Sequence, residues 1–307
     1  MSRRGVLLFA AMCVIWGIPY LFIRIAVSEI SPATLVAIRT GVAAIILLPI
    51  AFTRGGFRGI GKAWPWIVVF AAVEVGGPWY ALSSAEQQIS SALAGLLISA
   101  VPLVTLIIGI AFRNRQAIGP ANLAGLLVGI AGVALIVGLD LRASNIGALV
   151  EMAVVVVGYS LGPTIFARYL TAVPSFTVNG LALALCCIGY APVAALQWPH
   201  AVPSASVFGA VAVLAVVCTA LAFLLYFELV KEIGPVRASV ITYINPAVAA
   251  MLGVAVLHES LTLGMMAGFA QVLAGSGLAT RRPAGLPEGR MIPLPDDPGR
   301  VGEGVPR

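Results

Sequence analysis

Charged residues are scarce in this sequence. Of its 307 residues, 18 are Lys or Arg and 12 are Asp or Glu, so only 10% are charged, whereas 60% are hydrophobic. A soluble domain contains about 25% charged residues and uses them to cover its surface. The composition therefore excludes an ordinary soluble protein and indicates that most of the chain lies in a lipid bilayer.

Residues that bind metals or carry out catalysis are scarce as well. The chain has two His and four Cys residues. All four cysteines lie within apolar runs, which is typical of small buried side chains and not of disulfides or zinc sites. An enzyme acting on lipids would need nucleophiles, bases or metal ligands that converge near the membrane surface, and the sequence contains no such group. We therefore expect no metal, no cofactor and no enzymatic activity, with a lipid-modifying enzyme as the less favoured alternative.

Apolar runs long enough to cross a bilayer occur ten times, each crossing taking roughly 20 helical residues. They lie near residues 5–27, 33–53, 64–83, 91–113, 120–139, 146–168, 176–197, 205–229, 237–257 and 261–280. Strands of a membrane β-barrel would alternate polar and apolar residues, but these runs are apolar on all faces. The pattern predicts an all-α integral membrane protein with ten transmembrane helices.

The basic residues predict the orientation of these helices. When ten helices are threaded, all Lys and Arg residues except Arg24, Arg39 and Arg142 fall on one side of the membrane. By the positive-inside rule that side is cytoplasmic, so we expect a multi-pass protein of the plasma (inner) membrane with both termini in the cytoplasm. The basic residues form no continuous stripe, which argues against a nucleic-acid partner. Residues 281–307 are rich in Pro and Gly and predict a disordered cytoplasmic tail.

The sequence also repeats itself. Residues 92–135 resemble residues 236–278, with Pro102 matching Pro246. The offset corresponds to five predicted helices, and an odd number of crossings gives the two copies opposite orientations. Such inverted repeats recur in secondary transporters, which bind their substrate near the membrane midplane between the halves. The predicted five-helix repeats comprise residues 1–139 and 140–280.

Short motifs in both halves carry a family resemblance. They are Trp16-Gly17-x-Pro19-Tyr20 in the first half, and Gly234-Pro235-x-Arg237-Ala238 and Leu257-His258-Glu259-Ser260-Leu261-Thr262 in the second. In their order and spacing they resemble the ten-helix EamA-type branch of the drug/metabolite transporter superfamily. The resemblance covers roughly residues 5–280.

The resemblance implies a secondary transporter that exports small organic metabolites, amino acids or drug-like compounds by alternating access. A facilitated-diffusion uniporter of the same fold and a receptor without transport activity are the alternatives. That family often has an acidic residue between the last two helices of each half. Glu259 fills this position in the second half, whereas the first half has Arg113 and Arg115.

Glu74 is the main candidate for proton coupling. It lies about ten residues into the third predicted helix, or ~15 Å deep, near the midplane. An ionised carboxylate at this depth costs on the order of 3 kcal/mol without partners, so it is a candidate proton carrier, the alternative being a neutral acid bonded within the bundle. Because Pro78 follows Gly76 and Gly77, we also expect a kink or break beside the carboxyl group.

Two further charges lie inside predicted helices. Arg39 is about 9 Å deep in the second helix, and Glu151 is at a similar depth in the sixth. We predict that Arg39 pairs with Glu151 or with Glu74, which would offset its desolvation. The alternative is that Arg39 extends to the interface.

Aromatic and amide side chains could line a central cavity. Trp16 and Tyr20 are four residues apart and share a helical face, and Asn245 before Pro246 predicts a local break in the ninth helix. Interface anchoring and helix packing are alternative roles. The candidate substrate-binding residues are Trp16, Tyr20, Glu74, Tyr80, Tyr159, Tyr243 and Asn245.

Glycine spacing predicts where helices approach each other closely. Gly125-x-x-x-Gly129 and Gly264-x-x-x-Gly268 leave room for a neighbouring backbone. We expect this packing within a monomer, with a homodimer as the less favoured alternative.

Overall fold

The computed structural model describes residues 2–53, 56–57, 60–111, 120–138 and 146–279. The predicted tail at 281–307 lies outside the described residues, as do Arg113, Arg115 and Arg142. Within the described ranges every regular element is a helix, and no strand occurs. The predicted all-α class is confirmed.

In the described part of the chain, eight apolar helices are long enough to cross a membrane. They are α1 (Arg3–Ala26), α2 (Pro32–Thr53), α3 (Ile60–Ala85), α4 (Ser91–Ile110), α5 (Pro120–Gly138), α6 (Ile146–Leu170), α7 (Ser175–Leu196) and α8 (Ala205–Ile233). Two shorter apolar helices follow, α9 (Ile241–Leu257) and α10 (Leu263–Ala279), each of 17 residues. At 1.5 Å per residue these two are ~26 Å long, at the lower limit for a crossing.

Several of these helices are irregular. The first is interrupted at residues 16–18, where Pro19 begins its second part, Pro19–Ala26. The fourth is interrupted at residues 99–100, between its first part, Ser91–Ile98, and Val101, where its second part begins. Turns of π-helix lie within α3, α6 and α8, at Ala71–Gly76, Phe166–Leu170 and Val213–Leu221. Because π turns are rare and concentrate at functional sites, they direct attention to the interior of the bundle.

Three pairs of the described helices, each five places apart in the chain, pack against each other. The largest helix contacts join α5 to α10 and α2 to α7, and α4 packs on α9 in the same way. The remaining helices cross between the halves as well, with α3 on α6 and α1 on α8. The halves of the chain therefore meet along most of their helices.

The ninth helix corrects one prediction. No break occurs at Asn245-Pro246, because α9 runs unbroken from Ile241 to Leu257. The chain breaks earlier, at residues 239–240, between a single turn at Pro235–Ala238 and the start of α9. The contacts of Asn245 explain why the helix is not broken there. Its amide nitrogen donates hydrogen bonds to the carbonyl oxygens of Ile241 and Cys13 at 3.1 and 3.2 Å. It thereby ties the first turn of α9 to α1.

Glycines allow α5 and α10 to pack with their backbones in contact. A Cβ atom on Gly275 would lie 2.6 Å from the carbonyl oxygen of Gly125 and 2.6 Å from the Cα atom of Gly129. On Gly132 it would lie 2.7 Å from the carbonyl oxygen of Gly268. Gly125 and Gly129 of the first predicted motif thus face Gly275, and Gly268 of the second faces Gly132, all within one chain.

Gly275→Ala should therefore destabilise the protein. The added methyl group would meet backbone atoms that cannot rotate away, and such overpacking costs about 1–3 kcal/mol. The control is Gly277→Ala on the same helix, where a Cβ atom would have no neighbour within 4 Å and should stabilise by about 0.5–1 kcal/mol. Thermal unfolding of the detergent-solubilised protein measures both, and equal midpoints would contradict this packing.

Candidate functional site

Arg39 lies at the centre of the bundle. Its side chain is buried in α2, where Nε donates a hydrogen bond to Thr219 Oγ1 of α8 at 2.9 Å. The guanidinium carbon is 3.8 Å from the centre of the Trp79 ring of α3, which is the geometry of a cation–π contact. Three helices from both halves of the chain therefore hold this one cation. We refer to Arg39, Trp79 and Thr219 as the arginine cluster.

The predicted ion pairs of Arg39 are absent from the structure. Among the described residues, the ion pairs join Arg4 and Lys231 to Glu228 and Glu232, far from Arg39 in the chain. The carboxylate of Glu151 instead accepts a hydrogen bond from Ser84 Oγ at 2.7 Å. The physical reason is that a neutral hydroxyl and an aromatic face already contact the guanidinium. Arg39 does not extend to the interface either, because it is only 7% exposed.

Two π-helical turns flank the arginine cluster. In α8, the Thr219 hydroxyl donates to the carbonyl of Leu214, five residues earlier, at 2.7 Å. In α3, the turn Ala71–Gly76 carries Glu74. In place of the predicted kink or break, the structure has a π turn within a continuous α3. Pro78 explains this irregularity in part, because proline has no N–H with which to bond the carbonyl of residue 74.

Glu74 is a carboxyl group without a fixed partner. Its Oε2 atom is buried and has no hydrogen-bond partner in the described part of the chain. The carboxyl group lies against Gly162 of α6, where a Cβ atom would collide with it. Its electrostatic neighbours include Tyr159 and Tyr226. Such a group is expected to be neutral, or to bind a proton or a cationic ligand.

Aromatic rings surround these groups. The Trp16 ring, at the break in α1, lies 4.7 Å from the Tyr226 ring of α8. Tyr20 is buried on the next turn and lies beside Gly95 of α4. The hydroxyl of Tyr159 interacts with the Trp79 indole. Trp16, Tyr20 and Tyr159 thus lie near the arginine cluster or near Glu74, and that they line a substrate cavity stays a prediction.

Other predicted residues lie elsewhere. Tyr80 is 38% exposed and stacks on Tyr190 of α7, with ring centres 5.7 Å apart, so the prediction that it faces the centre is wrong. The reason is helical phase, since Tyr80 follows Trp79 and points about 100° away from it. Tyr243 is half-buried in α9, and Asn245 serves the backbone contacts described above.

Glu86 is a buried carboxyl that lies beyond the third predicted run, residues 64–83, and beside the polar residues Gln87 and Gln88. It follows the last residue of α3 and is fully buried, and neither carboxylate oxygen has a hydrogen-bond partner among the described residues. The guanidinium of Arg24 in α1 donates to the main-chain carbonyl of Glu86. The polar residues around it masked this burial, and no signal in the sequence separates it from a surface glutamate.

Glu259 has a structural task. Its carboxylate accepts hydrogen bonds from the backbone N–H groups of Ser91 and Ala92 at 2.8 and 2.9 Å and from Ser91 Oγ at 3.0 Å. It therefore caps the N-terminus of α4, where the helix dipole favours a negative charge. Gly253 leaves the space for it. The residue that the family resemblance highlighted thus joins the loop after α9 to α4.

Long apolar helices that enclose a buried arginine, buried carboxyls and aromatic rings define an integral membrane protein of the transporter class. The comparisons with known proteins agree. The EamA-like transporter family matches the chain twice, at residues 3–138 and 146–281. The chain belongs to the EamA-like transporter family, and it is a membrane transporter.

Named relatives span most of the chain. The uncharacterized inner membrane transporter YedA of Escherichia coli (strain K12) is 28% identical over 265 residues, which are 82% of each chain. The uncharacterized transporter YvbV of Bacillus subtilis (strain 168) is 24% identical over 87% of this chain and 88% of its own. A solved crystal structure shares the fold, with a TM-score of 0.64 and 22% identity over 91% of this chain and 97% of that one.

Thr219→Val should destabilise the protein because it removes the acceptor of a buried cation. Leaving Arg39 Nε without a partner costs about 1–3 kcal/mol or more. Thr164→Val is the control, because Thr164 lies exposed on α6 and bonds only its own helix, at Ser160. Thermal unfolding in detergent compares them, and a loss no greater than that of the control would show that this hydrogen bond does not hold Arg39.

Proposed function

We propose that the protein is a secondary transporter that exports small organic metabolites, amino acids or drug-like compounds by alternating access. One observation carries the proposal: among the described residues, an arginine without an ion pair and a carboxyl without a hydrogen-bond partner both interact with Tyr159, between the two halves of the chain. A substrate with polar groups could satisfy both charged side chains, while its apolar part packs on the rings.

The proposal includes ten membrane crossings arranged as two inverted repeats, residues 1–139 and 140–280. The two matches to the family support the repeats, and so does the packing between helices five places apart. With ten crossings both termini lie on one side, and the basic residues favour the cytoplasm. The plasma (inner) membrane is the proposed location, in line with the name of the E. coli relative.

Alternating access would then open the centre to each side in turn. The π turns in α3 and α8 support this part, because they carry Glu74 and Thr219 at points where the regular helical bonding is already disturbed. A helix bends more readily at such a point than within a regular run. Rocking of the halves would change the surroundings of the substrate, while Arg39 would keep its contacts with both halves of the chain.

Glu74 is the proposed proton carrier. A carboxyl at this depth can take up a proton from one side and release it to the other when its surroundings become hydrated. The unpartnered Oε2 atom supports this role, because no fixed hydrogen bond holds the group in one state. Export in exchange for protons would follow, and facilitated diffusion is the alternative if Glu74 does not exchange its proton.

Glu74→Gln should abolish export while the protein still folds. Cells that overproduce the wild-type chain should enrich a set of small compounds in the medium, detected by untargeted mass spectrometry. The glutamine variant cannot release a proton, so this enrichment should disappear. Glu151→Gln is the matched control, since a hydrogen bond from Ser84 already holds that carboxylate.

The compounds found in this way can then be tested in vesicles with the purified protein. Wild-type export should follow an imposed pH gradient, measured with a pH-sensitive dye. Export that ignores the gradient and survives Glu74→Gln would leave facilitated diffusion as the mechanism. No enrichment by the wild-type chain would count against export itself.

A further inference from the structure

Glu86 lies where loops close one end of the bundle. This end, which we call the outer end, carries residues 27–31, 86–90, 197–204 and 258–262. Side chains connect these loops: Glu29 accepts hydrogen bonds from the backbone and the hydroxyl of Ser204 at 2.7 and 2.6 Å, and Glu259 caps α4. Glu86 lies among them but forms no side-chain hydrogen bond to any described residue.

Charged and titratable groups face Glu86 from several elements. The groups are Arg24 and Tyr20 of α1, Arg39 of α2, Tyr159 of α6 and Glu259 after α9. His258 precedes Glu259 and is exposed. Both oxygens of Glu259 are already engaged in capping α4, so this neighbour adds a negative charge that Glu86 must tolerate.

The closed arrangement favours the neutral acid. Burial raises the pKa of the Glu86 carboxyl well above its usual range, and the charge of Glu259 adds to this effect. The C-terminal end of α3 also disfavours a negative charge there. The guanidinium of Arg24 acts in the opposite direction, but it contacts the main-chain carbonyl and not the carboxylate.

We propose that Glu86 is a proton-binding site that keeps the outer end closed while it is protonated and lets it open when it ionises and pairs with Arg24. The required movement is short, because the guanidinium already lies on the carbonyl of the same residue. Water that enters with opening would solvate the ion pair. The inference rests on the alternating-access part of the proposed function, yet the protonation of Glu86 can be measured without transport.

The sign of the pH dependence follows from this assignment. The closed state holds one proton that the open state has lost, so raising the pH favours opening, by at most about tenfold per pH unit. Glu29 does not contribute to the same transition. Its hydrogen bonds with Ser204 lower its pKa, so it releases its proton at more acidic pH than an ordinary glutamate and is already ionised.

Infrared spectroscopy tests the protonation directly. The purified wild-type protein in lipid should show a carboxylic acid C=O band at neutral pH that disappears in Glu86→Gln. Glu74→Gln identifies the contribution of the deeper acid, and Glu151→Gln should leave the Glu86 band in place. A spectrum that Glu86→Gln leaves unchanged at neutral pH would overturn the proposal, whatever the outcome for transport.

Thiol labelling tests the opening. In the protein reconstituted in nanodiscs, Ile89→Cys supplies a reporter thiol at a side chain that is 4% exposed at the outer end. Ser28→Cys supplies an exposed control, whose labelling rate also depends on the thiolate form of cysteine. The ratio of their labelling rates should rise with pH, up to about tenfold per unit. Labelling of the native cysteines is subtracted with the unmodified chain.

Three variants decide between titrating groups. When Glu86→Gln is added to the reporter proteins, the ratio of labelling rates should stay low at every pH. When Arg24→Gln is added, the ratio should rise only at higher pH, because ionised Glu86 loses its partner. The Arg24 variant keeps the test decisive if the Glu86 variant fails to fold. A rise that persists in Glu86→Gln, or that disappears in His258→Gln, would overturn the assignment of the proton to Glu86.

Discussion

The buried guanidinium of Arg39 sets the constraint on which the centre of this protein depends. A cation in an apolar bundle needs partners from other helices, because the carbonyls of its own helix are already bonded. Thr219 of α8 supplies an oxygen acceptor, and Trp79 of α3 supplies an aromatic face. These uncharged partners stabilise the guanidinium, which keeps its positive charge. The contact also joins the two family matches, since α2 belongs to the first and α8 to the second.

The partners reach Arg39 because α3 and α8 each contain a π turn. In α3, Pro78 removes a backbone donor and Glu74 lies in the widened turn. The turn in α8 contains no proline, and there the hydroxyl of Thr219 bonds to the carbonyl of Leu214. A proline in α3 and a threonine hydroxyl in α8 therefore accompany π turns on facing helices. A regular helix in either place would rotate these side chains away from the centre.

This rotation explains how much of the molecule could be predicted. Hydrophobic runs and Pro78 depend on local composition, so the helices and the irregularity near Glu74 could be predicted from the sequence. A π turn inserts a residue and rotates everything after it by about 100°. Trp79 therefore faces Arg39 and Tyr80 faces outward, although both lie in the same aromatic pair. The burial of Glu86 and the backbone contacts of Asn245 depend on neighbouring helices, which no local pattern reveals.

Two unpartnered carboxyls, Glu74 in α3 and Glu86 directly after it, differ in the charges that face them. The described electrostatic neighbours of Glu74 include Tyr159 and Tyr226, whereas Glu86 faces Arg24 and Arg39. If water enters, Glu86 can ionise in place because a guanidinium is already beside it. Glu74 gains no comparable partner from the tyrosines and depends on water or a substrate for its counter-charge. Under the proposed function, ionisation of Glu74 therefore depends on the entry of water or substrate, while ionisation of Glu86 accompanies the opening of the outer end.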